Sequence, residues 1–309
     1  IITALSLTLS NACRSTGNVK LPTFTSILSM GTNTVLNLIL IFGYLGFPAM
    51  GLKGAAIATA IARTVEFTVL AAVVYKRRMP AAASLRQLFS RLNGAFLRPY
   101  FKTTLPVLLN EALWSMAMAT LLQCYSVRGI DVVAAYNINS TITQLFNVVA
   151  LSMGSAISIL VGQRLGAGEM EQAREDNRKL TAFGIMLALG VGGIMGACSG
   201  LFPKLYDTTP AIRAMAGGFI LIAAANLPVL SYVHSTYFTL RSGGRTGITV
   251  LFDCVFSWLV YVPVAYILSR YTSLPILAVF AIVHATDLVK ATVGFLLIKK
   301  GVWLRNIVK

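Results

Sequence analysis

The strongest constraint in this sequence is a succession of long apolar segments separated by short polar breaks. Each segment holds about 20 mainly apolar residues, enough for a helix to cross the ~30 Å hydrocarbon core of a bilayer. The segments lie at residues 23–45, 51–75, 103–127, 132–162, 180–202, 213–240, 246–268 and 275–298, after a partial span at 1–12. The chain is 56% hydrophobic and only 12% charged, whereas a soluble domain is about 25% charged. The sequence therefore predicts an all-α polytopic membrane protein.

The basic residues indicate how the chain is oriented in the membrane. Most of the 26 Lys and Arg residues lie in alternate loops, which is the pattern of cytoplasmic loops in membrane proteins. This placement argues against nucleic acid as the partner of a chain with net charge +16. We expect a multi-pass protein of the cell membrane, the inner membrane of a bacterium, with the C-terminus in the cytoplasm.

The segment 76–102 is the most basic part of the chain and contains no acidic residue. Leu85, Leu88, Phe89 and Leu92 recur at helical spacing, and Ser84 can cap a helix there. The pattern predicts a short amphipathic helix lying on an anionic membrane surface, in a cytoplasmic linker. The alternative is an ordinary solvated charge run.

An internal repeat indicates a duplicated lobe. Arg14-Ser15 and Arg241-Ser242 begin similar segments, and the same offset pairs further residues: Tyr44 with Tyr271, Pro48 with Pro275, and Arg63 with Lys290. An even number of spans separates the copies, which predicts a parallel repeat of two pseudo-symmetric six-helix lobes. We expect residues 1–75 to be the remainder of an N-terminal lobe, 76–102 the linker, and 103–309 the C-terminal six-span lobe. On this repeat, roughly 130 residues of the first lobe would precede residue 1.

Several motifs resemble those of the multidrug and toxic compound extrusion (MATE) family. The most specific is Val161-Gly162-Gln163-Arg164-Leu165-Gly166-Ala167-Gly168 with Glu169, which resembles the family segment at the end of the eighth span. Ala134-Ala135-Tyr136-Asn137-Ile138 and Gly54-Ala55-Ala56-Ile57-Ala58-Thr59 resemble further family motifs. The resemblance covers the whole chain, from the late fourth span to the twelfth.

This resemblance implies an antiporter that exports amphiphilic, often cationic drugs by alternating access. Na⁺ or H⁺ would be the coupling ion, and the resemblance implies no resident cofactor. We expect a monomer. Flippases for lipid-linked oligosaccharides share the two-lobe plan among wider relatives and remain the alternative.

Glu111 is the sharpest candidate for the cation-coupling site, together with Asn110. A carboxylate within a span costs roughly 2.5–3.5 kcal/mol unless it is partnered or hydrated. Pro106 precedes it and frees a backbone carbonyl that can bind a cation. The alternative is a structural acid held by a neighbouring hydroxyl or amide.

Relative to the MATE pattern, Glu111 lies one turn before the usual seventh-span glutamate. The span 213–240 also lacks the acid that many members have there.

Polar residues within other spans suggest a substrate cavity. One face of the span 132–162 carries Asn137, Thr141, Gln144 and Asn147, and a polar face in a membrane must meet protein or water. Our predicted cavity residues are Asn137, Thr141, Gln144, Asn147, Asn33, Asn37 and Tyr232, the last as a stacking partner for aromatic cations. Interhelical packing is the alternative for the amides.

Charged residues within spans occur as two pairs at i,i+3 spacing. We expect Arg63 to neutralise Glu66, and Asp287 to neutralise Lys290, with a charged relay as the alternative. Asp253 is expected to clamp Arg241 or Arg245 at the end of its span.

The sequence argues against other classes of function. It contains no GxSxG or HExxH motif, so we expect no enzyme activity. Its four cysteines are dispersed without a CxxC pair, so we expect no metal site. No repeated filter loop suggests a channel.

Overall fold

A computed structural model of the protein describes residues 2–82, 94–244 and 246–305. These residues are almost entirely helical and contain no strand. The α-helices are α1 (Ile2–Ser15), α2 (Lys20–Phe42), α3 (Leu52–Lys76), α4 (Gly94–Ser126), α5 (Ile130–Ala167), α6 (Met170–Ala197), α7 (Pro210–Ser242), α8 (Thr246–Val250), α9 (Val262–Tyr271), α10 (Ile276–Ala285) and α11 (Asp287–Lys299). Within the described ranges, 8 helical segments are long and apolar enough to cross a membrane. The predicted all-α polytopic fold is confirmed.

The chain divides into two compact units, residues 1–93 and 94–309. In the first unit, α2 and α3 form a close helical hairpin. A Cβ atom on Gly54 would lie 2.5 Å from the carbonyl oxygen of Leu40, so only glycine permits this approach. Ser29 Oγ also donates a 3.0 Å hydrogen bond to the Ala62 carbonyl. Small residues of α3 therefore set its distance from α2.

In the second unit, α7 is the central helix and packs against α5, α6, α10 and α11. Towards its N-terminal end an aromatic cluster fills the core, with the Phe219 and Phe280 ring centroids 4.6 Å apart and Tyr125 fully buried beside them. At its other end, the buried Trp303 folds back against α7, since a Cβ on Gly243 would lie 2.3 Å from the Trp303 carbonyl oxygen. These contacts fix the helices around α7.

The predicted basic linker falls only partly on described residues. The predicted amphipathic helix, with Ser84 as its cap, lies outside them. Residues 94–102 form the first turns of α4, so Arg98 and Lys102 are helical residues that precede the apolar part of that span.

The stretch between the predicted spans 132–162 and 180–202 is not a loop, because almost all of it is helical. Helix α5 continues to Ala167 and α6 begins at Met170. Gly168 has φ of 83°, a left-handed conformation that glycine adopts readily, and its N–H bonds the carbonyls that end α5. Arg164 spans the turn, with Nη1 2.6 Å from Glu169 and Nε 3.1 Å from Asp176. A helix that extends beyond the hydrocarbon is polar on its surface, and this polarity resembles a loop in the sequence.

The last two spans are irregular. Two π-helical segments, Leu251–Val255 and Ser257–Tyr261, connect α8 to α9. The final span breaks at Thr286, between α10 and α11. Such wider turns and breaks often occur at functional sites. Here they carry Asp253 and Asp287.

Candidate functional site

A buried ion pair connects the last two spans of the second unit. Lys290 Nζ on α11 lies 2.7 Å from Asp253 Oδ1, and Lys290 is 5% exposed. The expected clamp between Asp253 and Arg241 or Arg245 is therefore not the interaction observed for Asp253, and Arg245 lies outside the described residues. The reason is tertiary packing: α11 brings the Lys290 ammonium within 2.7 Å of Asp253.

Asn110 and Glu111 on α4 extend this pair into a network. Asn110 is 1% exposed, and its Nδ2 donates to Asp253 Oδ2 at 3.4 Å and to Tyr237 Oη at 3.5 Å. The Tyr237 hydroxyl in turn donates to Glu111 Oε1 at 3.3 Å. Glu111 itself is exposed on this unit. The network thus leads from an accessible carboxylate to a buried ion pair. We name it the α4–α11 network, formed by Asn110, Glu111, Tyr237, Asp253 and Lys290.

The α4–α11 network contains two carboxylates, Glu111 and Asp253, and one lysine, and the cation of Arg241 lies near its Tyr237. The Lys290 ammonium also lies 5.3 Å from the Phe252 ring centroid, a position that stabilises the charged lysine. Asn110 Oδ1 is buried and has no hydrogen-bond partner among the described residues. Carboxylate and amide oxygen atoms of the network are therefore available to bind a monovalent cation or a proton.

A second polar cluster surrounds Asp287 at the break in the final span. Asp287 is 3% exposed and accepts hydrogen bonds from the Tyr261 hydroxyl and, at 2.6 Å, from Asn226 Nδ2. His284 Nδ1 lies 3.7 Å from Asp287 Oδ2 and 3.2 Å from Asn226. The expected Asp287–Lys290 pair is wrong. Asp287 accepts hydrogen bonds from Asn226 of α7 and from Tyr261 of the second π-helical segment, whereas Lys290 forms its ion pair with Asp253. The two residues share a helix but have different neighbours.

The charge pair of the first unit forms as the sequence predicts. Arg63 Nη1 lies 2.7 Å from Glu66 Oε2, and Ser26 of α2 donates to the other carboxylate oxygen at 3.0 Å. Glu66 is 4% exposed, whereas the Arg63 side chain is 47% exposed. The pair therefore keeps the buried carboxylate compensated.

The amides predicted to line a cavity in the first unit contact each other. Asn33 Nδ2 donates to Thr59 Oγ1 of α3 at 3.3 Å, and Asn37 Nδ2 donates to Asn33 Oδ1 at 3.0 Å. Such contacts are expected if the amides serve in helix packing, which is the alternative to a role in a cavity. A cavity role for Asn33 and Asn37 stays a prediction.

The other predicted cavity residues lie in two places. Asn137, Thr141 and Gln144 are exposed on one face of α5, and Asn147 is half-buried with an unpaired Oδ1 among the described residues. Tyr232 instead opens into a separate groove between α6, α7 and α11. The structure thus keeps the α5 amides on one face and does not place Tyr232 with them.

Sequence reasoning missed three members of these clusters as contact residues. Tyr237, Asn226 and Tyr261 each donate to a carboxylate on another helix. Each has a polar side-chain group within a span, and such a group requires a hydrogen-bond partner in a lipid environment. That requirement was the signal present in the sequence. Spacing along one helix could not identify that partner.

Comparisons with known proteins identify the family. The family model described as MatE matches residues 106–267, more than half of the chain. The probable multidrug resistance protein YoeA of Bacillus subtilis is 29% identical over 277 residues, covering 86% of this chain and 58% of the relative. The probable multidrug resistance protein NorM of Thermotoga maritima is 24% identical over 304 residues, covering 96% of this chain and 63% of the relative. The chain thus spans less than two thirds of these relatives.

Solved structures show the same fold. An outward-facing multidrug resistance MATE family transporter of the MOP superfamily matches with a TM-score of 0.82 at 23% identity, covering 93% of this chain and 63% of that chain. A MATE structure in the straight conformation matches with a TM-score of 0.81 at 23% identity, covering 93% of this chain and 64% of that chain. Members of the family are transporters, not enzymes. The matching family model and the shared helical fold together show that this multi-pass membrane chain belongs to the MatE family.

Proposed function

We propose that the chain belongs to a cation-coupled antiporter that exports amphiphilic, often cationic drugs. Relatives that align over most of the chain are named probable multidrug resistance proteins, which supports the drug substrates. The direction of transport and the coupling ion, Na⁺ or H⁺, belong to the proposal.

The observation that carries this proposal is the connection, within the α4–α11 network, of the exposed Glu111 carboxylate to a buried ion pair. Glu111 is accessible, so it can exchange an ion or proton with water. Its contact through Tyr237 connects it to the buried Asp253–Lys290 pair. A bound cation would neutralise the Glu111 carboxylate, whereas its loss would leave that carboxylate charged within the span. A cationic drug would then be attracted to the site that the coupling ion has left.

The remaining parts of the mechanism follow from the lobe plan. We propose that the exposed polar face of α5, with Asn137, Thr141 and Gln144, lines the water-filled substrate cavity. Residues 1–75 would belong to the first lobe and 103–309 to the second, joined by the linker 76–102, and their relative movement would give alternating access. We propose that the chain lies in a bacterial inner membrane, and its basic loops favour a linker and a C-terminus in the cytoplasm. We propose that the protein acts as a monomer.

The oligosaccharide flippase alternative is less well supported by the charges. A cavity for lipid-linked sugar phosphates favours unpaired cations. Arg63 and Lys290, which lie well within their spans, are each 2.7 Å from a carboxylate. These pairs neutralise the positive charge that a phosphate would need.

Dye efflux from everted vesicles containing the full-length protein tests the proposal. A Na⁺ gradient and a pH gradient are imposed separately on the wild type, Glu111→Gln and Glu171→Gln. Glu171 is an exposed acid at the start of α6 and serves as the matched control. We expect one gradient to drive efflux in the wild type and in the control, and Glu111→Gln to abolish it.

Two outcomes would contradict the proposal in different ways. If neither gradient moves dye although the proteins insert normally, drug antiport is wrong and lipid-linked substrates become the next assay. If efflux survives in Glu111→Gln, the transport class stands and the coupling role of the α4–α11 network is wrong.

A further inference from the structure

The second unit contains a groove that is separate from the α4–α11 network. It lies between α6, α7 and α11, and its volume is about 500 Å³. Arg174, Arg178 and Lys299 line one end, where α6 begins and α11 ends. Further along, Ile185 and Phe295 make its wall apolar. The groove therefore changes from basic to apolar along its length.

The cations of the groove are its main groups for recognising a ligand, because uncharged polar side chains there already bond one another. Thr239 Oγ1 donates to Asn177 Oδ1 at 2.6 Å, so these two side chains satisfy each other. Arg174 lies 3.5 Å from Glu171, but both side chains are more than half exposed, and such pairs are weak. Within the described ranges, neither Arg178 nor Lys299 lies in an ion pair. Two cations are thus free to bind an anion.

The end of the groove is built by the chain after α11. The buried Trp303 lines it and donates from Nε1 to the Ile298 carbonyl at 3.3 Å. The close approach of Trp303 to Gly243 holds this segment against α7. The groove is therefore a depression with fixed walls, and not only a patch of exposed lysine and arginine side chains.

We propose that this groove binds an anionic phospholipid, with its phosphate at Arg178 and Lys299 and an acyl chain along Ile185 and Phe295. Both helix ends that supply the cations border the apolar spans, which is the depth of lipid headgroups. A ligand with a phosphodiester head and a hydrocarbon tail matches both ends of the groove. A cationic drug would be repelled by the basic end, and a free phosphate would leave the apolar length unfilled.

The test measures phosphatidylglycerol bound to the full-length protein by native mass spectrometry, with phosphatidylcholine of the same acyl chains as reference. The double variant Arg178→Gln/Lys299→Gln removes the groove cations. Lys179→Gln/Lys300→Gln is the matched control, because it makes the same charge change one residue further along each helix end. Because Arg178 and Lys299 line the groove and Lys179 and Lys300 do not, only the groove variant loses two charge-assisted hydrogen bonds to the phosphate, and we expect it to bind phosphatidylglycerol roughly 100-fold more weakly. The control should bind like the wild type.

A third variant, Ala182→Trp, fills the groove without changing its charge. We expect it to lose the preference for phosphatidylglycerol as well, and it keeps the test valid if the double variant does not fold. Equal losses in the groove and control variants would overturn the proposal, since general surface charge would then explain binding. Wild-type binding in Ala182→Trp, or displacement of the lipid by inorganic phosphate, would also overturn it.

Discussion

The Lys290–Asp253 pair allows the effect of burial on an ion pair to be measured within one chain. Its N···O distance is 2.7 Å, with side chains 6% and 20% exposed. Lys179 and Glu175 on α6 form a pair of the same length, 2.7 Å, with side chains 68% and 61% exposed. Both pairs join a lysine to a carboxylate at the same distance, and they differ in access to water and in that Lys179 and Glu175 lie one turn apart on one helix. Lys290→Met and Lys179→Met are therefore matched perturbations.

Removal of Lys290 leaves Asp253 as a carboxylate without its counter-charge. Breaking a buried ion pair by removing one partner costs about 3–5 kcal/mol. We expect the lower end, about 3 kcal/mol, because Asp253 is partly exposed and keeps its hydrogen bond from Asn110. The double variant Asp253→Asn/Lys290→Met should recover most of this loss, since no buried charge remains. Lys179→Met should leave stability unchanged.

The free energy of unfolding can be measured by SDS titration in mixed micelles, with tryptophan fluorescence as the signal. A double-mutant cycle then gives the coupling between Asp253 and Lys290. If Lys290→Met is no more destabilising than Lys179→Met, burial does not govern this pair and the charge balance of the α4–α11 network must be reconsidered. If the double variant does not recover stability, the conclusion is again that burial does not govern this pair.

Two further predictions concern packing and the Asp287 cluster. Gly54→Ala should destabilise the α2–α3 hairpin by about 1–3 kcal/mol, because the new Cβ meets the Leu40 carbonyl. Gly31→Ala on α2 should be neutral or stabilising in the same SDS titration, since nothing lies within 4 Å of its Cβ position, and equal effects at both sites would refute the close approach. Asn226→Leu should cost about 1–3 kcal/mol in that assay by removing a donor to buried Asp287, and wild-type stability would contradict that contact.

The sequence determined the architecture through local patterns. Apolar runs of span length must be helices in a bilayer, because every backbone polar group has to be satisfied within the segment. The spans and the Arg63–Glu66 pair depend on local spacing, and the structure has both. The family followed from motifs such as the one around Arg164, where the glycine that ends α5 and the acids that bind Arg164 lie close in sequence.

Only the tertiary structure decided the partners of the other charged residues. Asp287 and Lys290 have the spacing of a pair, yet each bonds a residue on another segment. Glu111 was identified from its depth, but its connection through Tyr237 joins positions far apart in the chain. In a bilayer, a charge takes the polar partner that packing brings within reach. That choice depends on how helices surround α7, which spacing along one helix does not encode.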